Sequence, residues 1–445
     1  MMEVPETRYA KAADGVSLAY HAFGDGPEDL LWLDGSRGNL EVMWEQPLVS
    51  AFFTKLAERC RVIRFDMRGT GLSDRGEIGP ILEAQIGDAA TVCDVVGSQL
   101  TTVVGHGWGC AAAALFATTY PRRTSGLVLA ASQAKNRWTP DYPWGFDEEE
   151  WERSATVMRT GWGTEAYAAL VVSVSAPSLV RDREYLRWEA KMQRHWVGPL
   201  AAEGMDRQFY DSDVTEVLRS VRVPCLVIAR GWENPEEDEY VAGLVPDARL
   251  VRLPGIDWVM WAGDQEPVIE TLWDFIGADH AVASPTTSLQ TVLFTDIVGS
   301  TERALALGDR EWHELLERHH AIVRAGLARY GGREVDTAGD GFFAIFDGPA
   351  RAIRCAMDVV DAVRPIDLEV RAGIHTGEVE LAGDTVHGIA VHIGARVSSL
   401  AGPSEVLVSS TVKDLVAGSG LAFEDAGDHE LKGVPDRWHL FRVAT

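Results

Sequence analysis

Short apolar runs alternate with amphipathic helical patterns over residues 8–276, and this alternation constrains the fold more than any other feature. Strands that alternate with helices are typical of a mostly parallel sheet covered on both faces. We expect five runs to form its central strands: Leu30–Leu33, Val62–Phe65, Thr101–Val104, Gly126–Leu129 and Pro224–Ile228. The sequence therefore predicts an α/β fold for the first part of the chain.

Two motifs in this region lie where a known family carries its chemistry. Arg64–Asp74 reads Arg-Phe-Asp-Met-Arg-Gly-Thr-Gly-Leu-Ser-Asp, and Gly105–Gly109 reads Gly-His-Gly-Trp-Gly directly after a predicted strand. The second motif occupies the position of a G-x-S-x-G nucleophile elbow. On these residues the chain resembles the α/β-hydrolase family over residues 1–277. The resemblance implies that family's fold, with a helical cap at about residues 135–221.

The catalytic positions implied by this resemblance are occupied by unsuitable residues. Gly107 stands at the nucleophile position, Trp258 stands at the base position, and the acid position is blurred around Glu233. Without a hydroxyl group at residue 107, no acyl-enzyme can form. We therefore expect residues 1–277 to be catalytically inactive and regulatory. An esterase is the alternative hypothesis, and Gly107 and Trp258 argue against it.

The expected cap is rich in tryptophan. Its six tryptophans are Trp138, Trp144, Trp151, Trp162, Trp188 and Trp196. Aromatic side chains fill protein cores, and they also line most ligand pockets. We interpret these residues as core positions of a helical lid, and a pocket for a small apolar ligand remains the alternative.

Residues 278–288 read Ala-Asp-His-Ala-Val-Ala-Ser-Pro-Thr-Thr-Ser and are small, polar and aperiodic. Pro285 disfavours regular structure within them. We predict an interdomain linker here, followed by a second domain at residues 289–445.

Two segments of this second domain each place an aspartate at the polar end of an apolar, strand-like run. Asp296 lies within Val292–Thr301, and Asp340 lies within Thr337–Phe346. Carboxylates held at strand ends suit Mg²⁺ or Mn²⁺. The small-residue turn after Asp296 precedes a helical pattern, and the N–H groups at a helix start can bind phosphate oxygens. Together these features favour two-metal phosphoryl chemistry.

The order of elements in this domain indicates how the two aspartates meet. The expected elements are a strand at Leu289–Thr295, a helix at Thr301–Tyr330, a hairpin of Arg333–Thr337 and Phe342–Phe346, a helix at Pro349–Val363 and a strand at Leu368–Ile374. This order is the split βαβ, ferredoxin-like α+β arrangement. It places the first strand beside the hairpin, so Asp296 and Asp340 are expected at one site.

Five blocks then identify a second family resemblance. They are Phe294–Thr301, Gly339–Gly341, Arg371–Glu378, Gly388–Arg396 and Leu431–Gly433. With these blocks in order, residues 289–445 resemble the class III adenylate and guanylate cyclases. The resemblance implies a nucleoside triphosphate substrate and a homodimer whose two protomers complete each active site. It also implies two Mg²⁺ or Mn²⁺ ions per active site, held by Asp296, Asp340 and the Ile297 carbonyl.

The resemblance assigns roles to further residues. Arg396, from the other protomer, would neutralise charge that develops on the α-phosphate. His392 stands where many members carry the asparagine that orients the ribose, and an imidazole can still donate one hydrogen bond. The implied triphosphate contacts are Val298, Gly299, Ser300, Thr301, Arg371 and Lys432.

The base-reading positions leave the nucleotide open. Asp336 and Thr385 stand where adenylate-type members usually carry lysine and aspartate. A carboxylate can accept from the N6 amino group of adenine, and it suits the adjacent N1–H and N2–H₂ donors of guanine. We predict ATP, the commonest substrate of the family, and keep GTP as the alternative. A nucleotide-binding sensor without turnover is a third hypothesis, against which Asp296, Asp340 and Arg396 argue.

Charge and composition exclude some other functions. The formal net charge of -26 disfavours nucleic acid and anionic membrane surfaces as partners. The five cysteines lack metal-binding spacing, so we expect buried thiols in a reducing compartment. The N-terminal residues carry no apolar signal segment, and no run is long enough to span a bilayer. We therefore expect a cytoplasmic protein.

Overall fold

The computed structural model describes residues 4–35, 38–75, 79, 81–231, 234–278, 287–383 and 385–444. It divides the chain into two compact units, Met1–Pro285 and Thr286–Thr445. Most of the predicted linker at 278–288 lies outside the described residues, although its last two residues begin a strand of the second unit. The predicted domain boundaries therefore stay a prediction.

The first unit is built on one eight-stranded sheet with the order β1-β2-β4-β3-β5-β6-β7-β8. Its strands are β1 Arg8–Lys11, β2 Ser17–Phe23, β3 Glu28–Asp34, β4 Cys60–Phe65, β5 Thr101–His106, β6 Thr124–Ala130, β7 Cys225–Ala229 and β8 Arg249–Arg252. The strands from β4 through β8 pair in parallel, and β1 and β2 are antiparallel additions at one edge. The five predicted central strands correspond to β3, β4, β5, β6 and β7.

Helices surround this sheet. They are α1 Leu40–Trp44, α2 Pro47–Leu56, α3 Leu82–Val96, α4 Gly109–Thr119, α5 Glu148–Gly161, α6 Glu165–Ser175, α7 Arg183–Trp196, α8 Pro199–Asp211, α9 Thr215–Arg219, α10 Pro235–Leu244 and α11 Glu266–Ile276. Strands of a parallel sheet that is covered on both faces are apolar along their whole length. Accordingly, every residue of β5 and β7 is buried. The helices α5 to α9 fall within the predicted cap.

The cap tryptophans differ in burial. Trp151, Trp188 and Trp196 are buried, as expected of core positions, whereas the Trp138 side chain is 47% exposed. All five cysteines are free and buried. Burial raises the pKa of the Cys60, Cys93 and Cys355 thiols to about 12, so these thiols stay protonated and unreactive at neutral pH.

The second unit contains a sheet with the order β10-β11-β9-β12-β14-β16-β15, and β13 pairs with β12 beside this path. Its strands are β9 Thr287–Ile297, β10 Arg333–Ala338, β11 Gly341–Phe346, β12 Val370–Ala382, β13 Thr385–His387, β14 Val406–Ser409, β15 Phe423–Glu430 and β16 Arg437–Val443. Its helices are α12 Ser300–Leu307, α13 Asp309–Tyr330, α14 Pro349–Val363, α15 Ile389–Leu400 and α16 Ser410–Leu415. The predicted order of strand, helix, hairpin, helix and strand is present.

Two predicted elements of this unit had wrong bounds. The helix predicted over Thr301–Tyr330 is two helices, α12 and α13, because Gly308 between them has φ 77, which is outside the helical region. The strand predicted at Leu368–Ile374 begins at Val370, since Asp367 before it has φ 58. It continues to Ala382 because β12 pairs with β9 from Val370 to Glu380.

Within the described residues, no helix combines the length and the apolar character that crossing a bilayer requires.

Candidate active site

The two strand-end aspartates lie on neighbouring elements of the second unit. Asp296 is the penultimate residue of β9, and Asp340 lies in the turn between β10 and β11. Strand β11 is antiparallel to β9, with Phe342 opposite Thr295, so the Asp340 turn continues towards Asp296. The Oδ2 atom of Asp340 is buried and has no hydrogen-bond partner among the described residues. A buried carboxylate oxygen without a partner is costly unless another group, such as a cation, satisfies it.

Arg371 contacts Asp296 directly. The two residues face each other in the antiparallel pairing of β12 with β9. The Nε and Nη2 atoms of Arg371 both donate to Oδ2 of Asp296, and the Nε–Oδ2 distance is 3.0 Å. The side chains of Arg371 and Asp296 are 32% and 35% exposed. The predicted triphosphate contact is therefore paired with the predicted metal ligand.

A pocket of about 250 Å³ opens beside this ion pair. It is lined by Phe294, Thr295, Asp296, Asp336, Gly341, Phe342, Phe343, Arg371, Ala395, Ser398 and Ser399. The rings of Phe294 and Phe343 are stacked, with centroids 4.5 Å apart and an interplanar angle of 4°. The structure thus brings three predicted site residues, Asp296, Asp336 and Arg371, to one pocket with an aromatic wall.

The hairpin that carries Asp336 and Asp340 is held by hydrogen bonds at its turn. The Thr337 amide donates to Oδ1 of Asp336 at 2.9 Å. The Nε2 atom of His320, on α13, lies 3.0 Å from the Gly339 carbonyl oxygen. Because a carbonyl oxygen can only accept, this contact requires the tautomer of His320 that has its proton on Nε2.

The predicted phosphate turn lies directly after β9. It comprises Val298, Gly299, Ser300 and Thr301. Gly299 is the N-cap residue of α12 and has φ 67, a conformation that glycine adopts without strain. Glycine has no side chain that could cap the first turn of α12, so the first amides of this helix can donate to an anion. The Val298 amide, in contrast, already donates to the Glu369 carbonyl oxygen at 2.9 Å.

A second group of predicted residues lies apart from the pocket lining. His392 and Arg396 are four residues apart on α15 and both are exposed. The Nε atom of Arg396 donates to the Lys432 carbonyl oxygen at 3.2 Å, so this arginine and the Lys432 loop are adjacent. Thr385 is exposed at the start of β13, and its hydroxyl donates to the Ala382 carbonyl oxygen at 2.7 Å.

The donor set limits how a cation could bind. Within the described ranges, no three His, Cys, Asp or Glu side chains are grouped so that they could hold a metal ion. Asp296 and Asp340 supply two carboxylates, and Ile297 ends β9 with its side chain buried. A hard cation such as Mg²⁺ is usually bound by only one or two carboxylates, and substrate phosphates and water molecules supply its other ligands. Two carboxylates with one unsatisfied oxygen therefore fit a metal that is bound together with a nucleotide.

Several residues around the site had no predicted role. The buried ring of His319 packs 5.8 Å from Phe342, and neither ring nitrogen has a hydrogen-bond partner among the described residues. Burial is the main cause that lowers the pKa of His319 to about 4. Arg324 on α13 donates from Nε and Nη2 to Glu334 of β10, both at 2.9 Å. Spacing along the chain gives no signal for these contacts, since they depend on how α13 packs on the hairpin.

The first unit has a tight turn at Gly107, the predicted nucleophile position. Gly107 lies between β5 and α4 with φ 56, and its amide donates to the Ala130 carbonyl oxygen at 3.0 Å. The ring of Trp258 lies 5.3 Å from the ring of His106, which is fully buried directly before Gly107. Glu233, which was predicted at the acid position, lies outside the described residues.

Two family matches divide the chain in the same order. Residues 32–287 match the family described as "Alpha/beta hydrolase family". Residues 282–444 match the family described as "Adenylate and Guanylate cyclase catalytic domain". The sequence-based assignment of both families is confirmed by these matches.

Individual relatives each match about a third of the chain. An uncharacterized protein of Rhizobium meliloti (strain 1021) is 32% identical over 165 residues, which is 32% of this chain and 16% of that protein. A protein named putative adenylate cyclase 3 from the same strain is 25% identical over 163 residues, which is 34% of this chain and 28% of that protein. The chain thus spans less than a third of either relative.

Among solved structures, a bromoperoxidase from Bacillus anthracis matches with a TM-score of 0.52 and 17% identity, covering 61% of this chain and 100% of that one. At this identity the likeness supports the fold alone. Over more than half of its length the chain belongs to the alpha/beta hydrolase family, and at residues 282–444 it carries an adenylate and guanylate cyclase catalytic domain.

Proposed function

We propose that the chain is a nucleotidyl cyclase that converts ATP to 3′,5′-cyclic AMP and pyrophosphate. The observation that carries this proposal is the pocket that holds Asp296, Asp336 and Arg371 together, beside the unsatisfied carboxylate oxygen of Asp340. In the reaction, the ribose 3′-oxygen attacks the α-phosphorus, a new P–O bond forms, and the bond to pyrophosphate breaks. The proton of the 3′-hydroxyl leaves to solvent.

Asp296 and Asp340 are the residues that would hold Mg²⁺ or Mn²⁺, with the Ile297 carbonyl as a further ligand. When bound, two such ions would acidify the 3′-hydroxyl and neutralise charge on the triphosphate. Two carboxylates on adjacent elements would otherwise repel the anionic substrate, so their pairing with a cation is required for nucleotide binding.

The basic residues complete the phosphate site. Arg371 already lies at the pocket, where its guanidinium could contact triphosphate oxygens. The first amides of α12, after Gly299, would add neutral donors to the phosphate site. Arg396 and Lys432 are adjacent to each other and would supply positive charge at the α-phosphate and the triphosphate.

The position of α15 supports a homodimer. His392 and Arg396 are exposed and lie outside the pocket lining, so in our proposal they serve the site of a second protomer. The same helix exposes two apolar side chains, Ile389 at 53% and Leu400 at 41%. Apolar residues that flank exposed functional residues are typical of a protein interface.

The pocket keeps both ATP and GTP open as substrates. Asp336 lines the pocket, and a carboxylate there favours guanine, which presents two adjacent donors. However, Oδ1 of Asp336 already accepts from the Thr337 amide, so the other oxygen is the freer acceptor. A single acceptor suits the N6 amino group of adenine. We therefore propose ATP as the substrate and GTP as the second candidate.

Turnover of ATP and GTP with Mn²⁺ tests the proposal. Wild type should produce cyclic AMP faster than cyclic GMP, and Asp296→Asn and Asp340→Asn should each abolish product. Asp336→Lys should increase the preference for ATP, because a lysine can donate to adenine N1. A wild-type preference for GTP would overturn the substrate, and full activity of both Asn variants would overturn the mechanism. Nucleotide binding without product would favour the sensor hypothesis.

We further propose that the first unit is an inactive hydrolase that regulates or supports the second. The elbow without a hydroxyl at Gly107, with Trp258 beside it, supports the loss of ester hydrolysis. A chromogenic ester assay on the full chain should give the background rate only. Regulation predicts that residues 288–445 alone differ from the full chain in rate, nucleotide affinity or response to small apolar ligands. Identical behaviour in all three would exclude regulation.

A further inference from the structure

Strand β10 contains a β-bulge directly before Asp336. Glu334 pairs with Ala344 of β11, whereas Asp336 pairs with Phe343, so the register shifts between these two pairs. Val335 is the extra residue, and it has no partner opposite it in β11. Bulges of this kind redirect the side chains that follow them, and they are frequent beside active sites.

The bulge decides which face of the sheet Asp336 occupies. Residues that pair directly across two antiparallel strands share a face, and consecutive residues of one strand point to opposite faces. Ala344 and Phe343 are consecutive in β11, so Glu334 and Asp336 lie on opposite faces despite being two residues apart. Asp336 itself lines the pocket, on the same face as its partner Phe343, whose ring stacks on the pocket residue Phe294. Without the extra residue, Asp336 would share the face of Glu334 and leave the pocket.

Side-chain bonds span this bulge on the opposite face. Glu334 accepts from Thr337 Oγ1 at 2.6 Å, which joins the residue before the bulge to a residue after it. Glu334 also accepts two hydrogen bonds from Arg324 of α13, both at 2.9 Å. The hydrogen bonds from Arg324, which have the largest effect, and from Thr337 lower the pKa of Glu334 to about 2. We call Arg324, Glu334 and Thr337 the bulge clamp.

We propose that the bulge clamp positions Asp336 for recognition of the nucleotide base, and that it thereby sets the preference between ATP and GTP. This inference rests on the proposed cyclase function, since it gives Asp336 the base as its ligand. Glu334 and Thr337 lie on the face of β10 opposite Asp336, and none of the three clamp residues lines the pocket. In our proposal they act on Asp336 through the backbone of β10. They are positioning residues, and a change in them should move base discrimination more than the rate of the chemical step.

The test compares Thr337→Val with Thr337→Ser in the full chain. Valine keeps the shape of threonine but removes the bond to Glu334, whereas serine keeps the hydroxyl. One such hydrogen bond corresponds to about a threefold to tenfold effect. We therefore expect Thr337→Val to change the ratio of kcat/KM for ATP over GTP by about that factor, mainly through KM. Thr337→Ser should retain the wild-type ratio.

A double-mutant cycle shows whether Thr337 acts through Asp336. In an Asp336→Ala background, Thr337→Val should leave the ATP to GTP ratio unchanged. The same shift in both backgrounds would overturn the proposal, and so would an equal loss for both nucleotides with an unchanged ratio. Thermal unfolding of each variant reports any purely structural loss, which would lower Tm without moving the ratio.

Nucleotide binding measured without turnover separates an error in the proposed cyclase function from an error in the proposed role of the bulge clamp. Dissociation constants for fluorescent ATP and GTP analogues give the same ratio without turnover. A wild type that binds nucleotides but forms no cyclic product would overturn the cyclase assignment, while the ratio of affinities in the Thr337 variants still decides the clamp. A wild type that binds neither nucleotide would overturn both.

Discussion

Replacing Arg371 with glutamine should strengthen divalent-metal binding at Asp296 when no nucleotide is present. In the structure two donors of Arg371 occupy Oδ2 of Asp296, so a metal ion and this guanidinium compete for the same carboxylate. Glutamine removes the positive charge and shortens the side chain, which frees the carboxylate. The variant should at the same time weaken nucleotide binding, because Arg371 is also the proposed triphosphate contact.

The exposure of the pair sets the size of the effect. The two side chains are 32% and 35% exposed, so the pair lies between the surface and the interior. Exposed ion pairs contribute about 0.2–1 kcal/mol, and hydrogen bonds to charged groups contribute about 1.5–3 kcal/mol. A value of about 1–2 kcal/mol follows for this pair. Since about 1.4 kcal/mol corresponds to a tenfold change in an equilibrium constant, the Mn²⁺ affinity should rise about fivefold to thirtyfold.

Titration with Mn²⁺ followed by electron paramagnetic resonance measures this affinity without any turnover. Asp296→Asn identifies the Mn²⁺ bound elsewhere on this acidic chain, and that contribution is subtracted. Arg442→Gln is the matched control, because it removes the same charge from a residue that pairs with Glu405 and Glu424 instead. An Arg371→Gln affinity that is unchanged, or raised no more than in the control, would refute competition for Asp296.

Three further substitutions have defined outcomes. Burial lowers the pKa of His319 to about 4, below its unfolded value of about 6.5. Between these two values the unfolded state binds more protons than the folded state. The free energy of unfolding of the second unit therefore falls by up to about 1.4 kcal/mol per pH unit as the pH decreases through this window. His319→Leu should remove that part of the pH dependence, which urea unfolding at about pH 7 and about pH 5 would measure. Gly373→Ala should destabilise the second unit by at least about 1–3 kcal/mol, because an added Cβ would lie 2.0 Å from the backbone nitrogen of Ser398, and calorimetry would detect the loss. Gly107→Ser alone should restore no ester hydrolysis, since Trp258 supplies no base, and a chromogenic ester assay checks this.

The sequence predicted elements whose signal is local. The helix Pro349–Val363 was predicted with its observed bounds, because its proline at the first position and its apolar face are both visible in the sequence. The prediction of one continuous helix across Gly308 was wrong, because the sequence alone does not tell whether a glycine within a helical pattern takes a positive φ. The positions of Asp296 near the end of β9 and of Asp340 directly before β11 followed from apolar runs that have an acidic residue at one end.

The contacts that shape the site depend on pairing between distant strands. Arg371 faces Asp296 only because β12 pairs with β9 in one register, and a shift of one residue would remove the contact. Likewise, an alternating pattern gives no sign of the extra residue at Val335, although that residue decides where Asp336 points. Register and bulges are fixed by the packing of the whole sheet, so a sequence identifies the residues of such a site before it identifies their partners.

The first unit has a tight turn at Gly107, the predicted nucleophile position. A nucleophile elbow needs a sharp turn between strand and helix, and Gly107 keeps that turn with φ 56 and with backbone bonds to Ala130 and from Cys110, both at 3.0 Å. Trp108, the next residue, stacks on Phe209 of α8 with ring centroids 4.8 Å apart. Aromatic contacts of this kind stabilise the packing of the cap helices on the sheet. The turn at Gly107 therefore places Trp108 against α8, which gives this turn a structural role in the first unit.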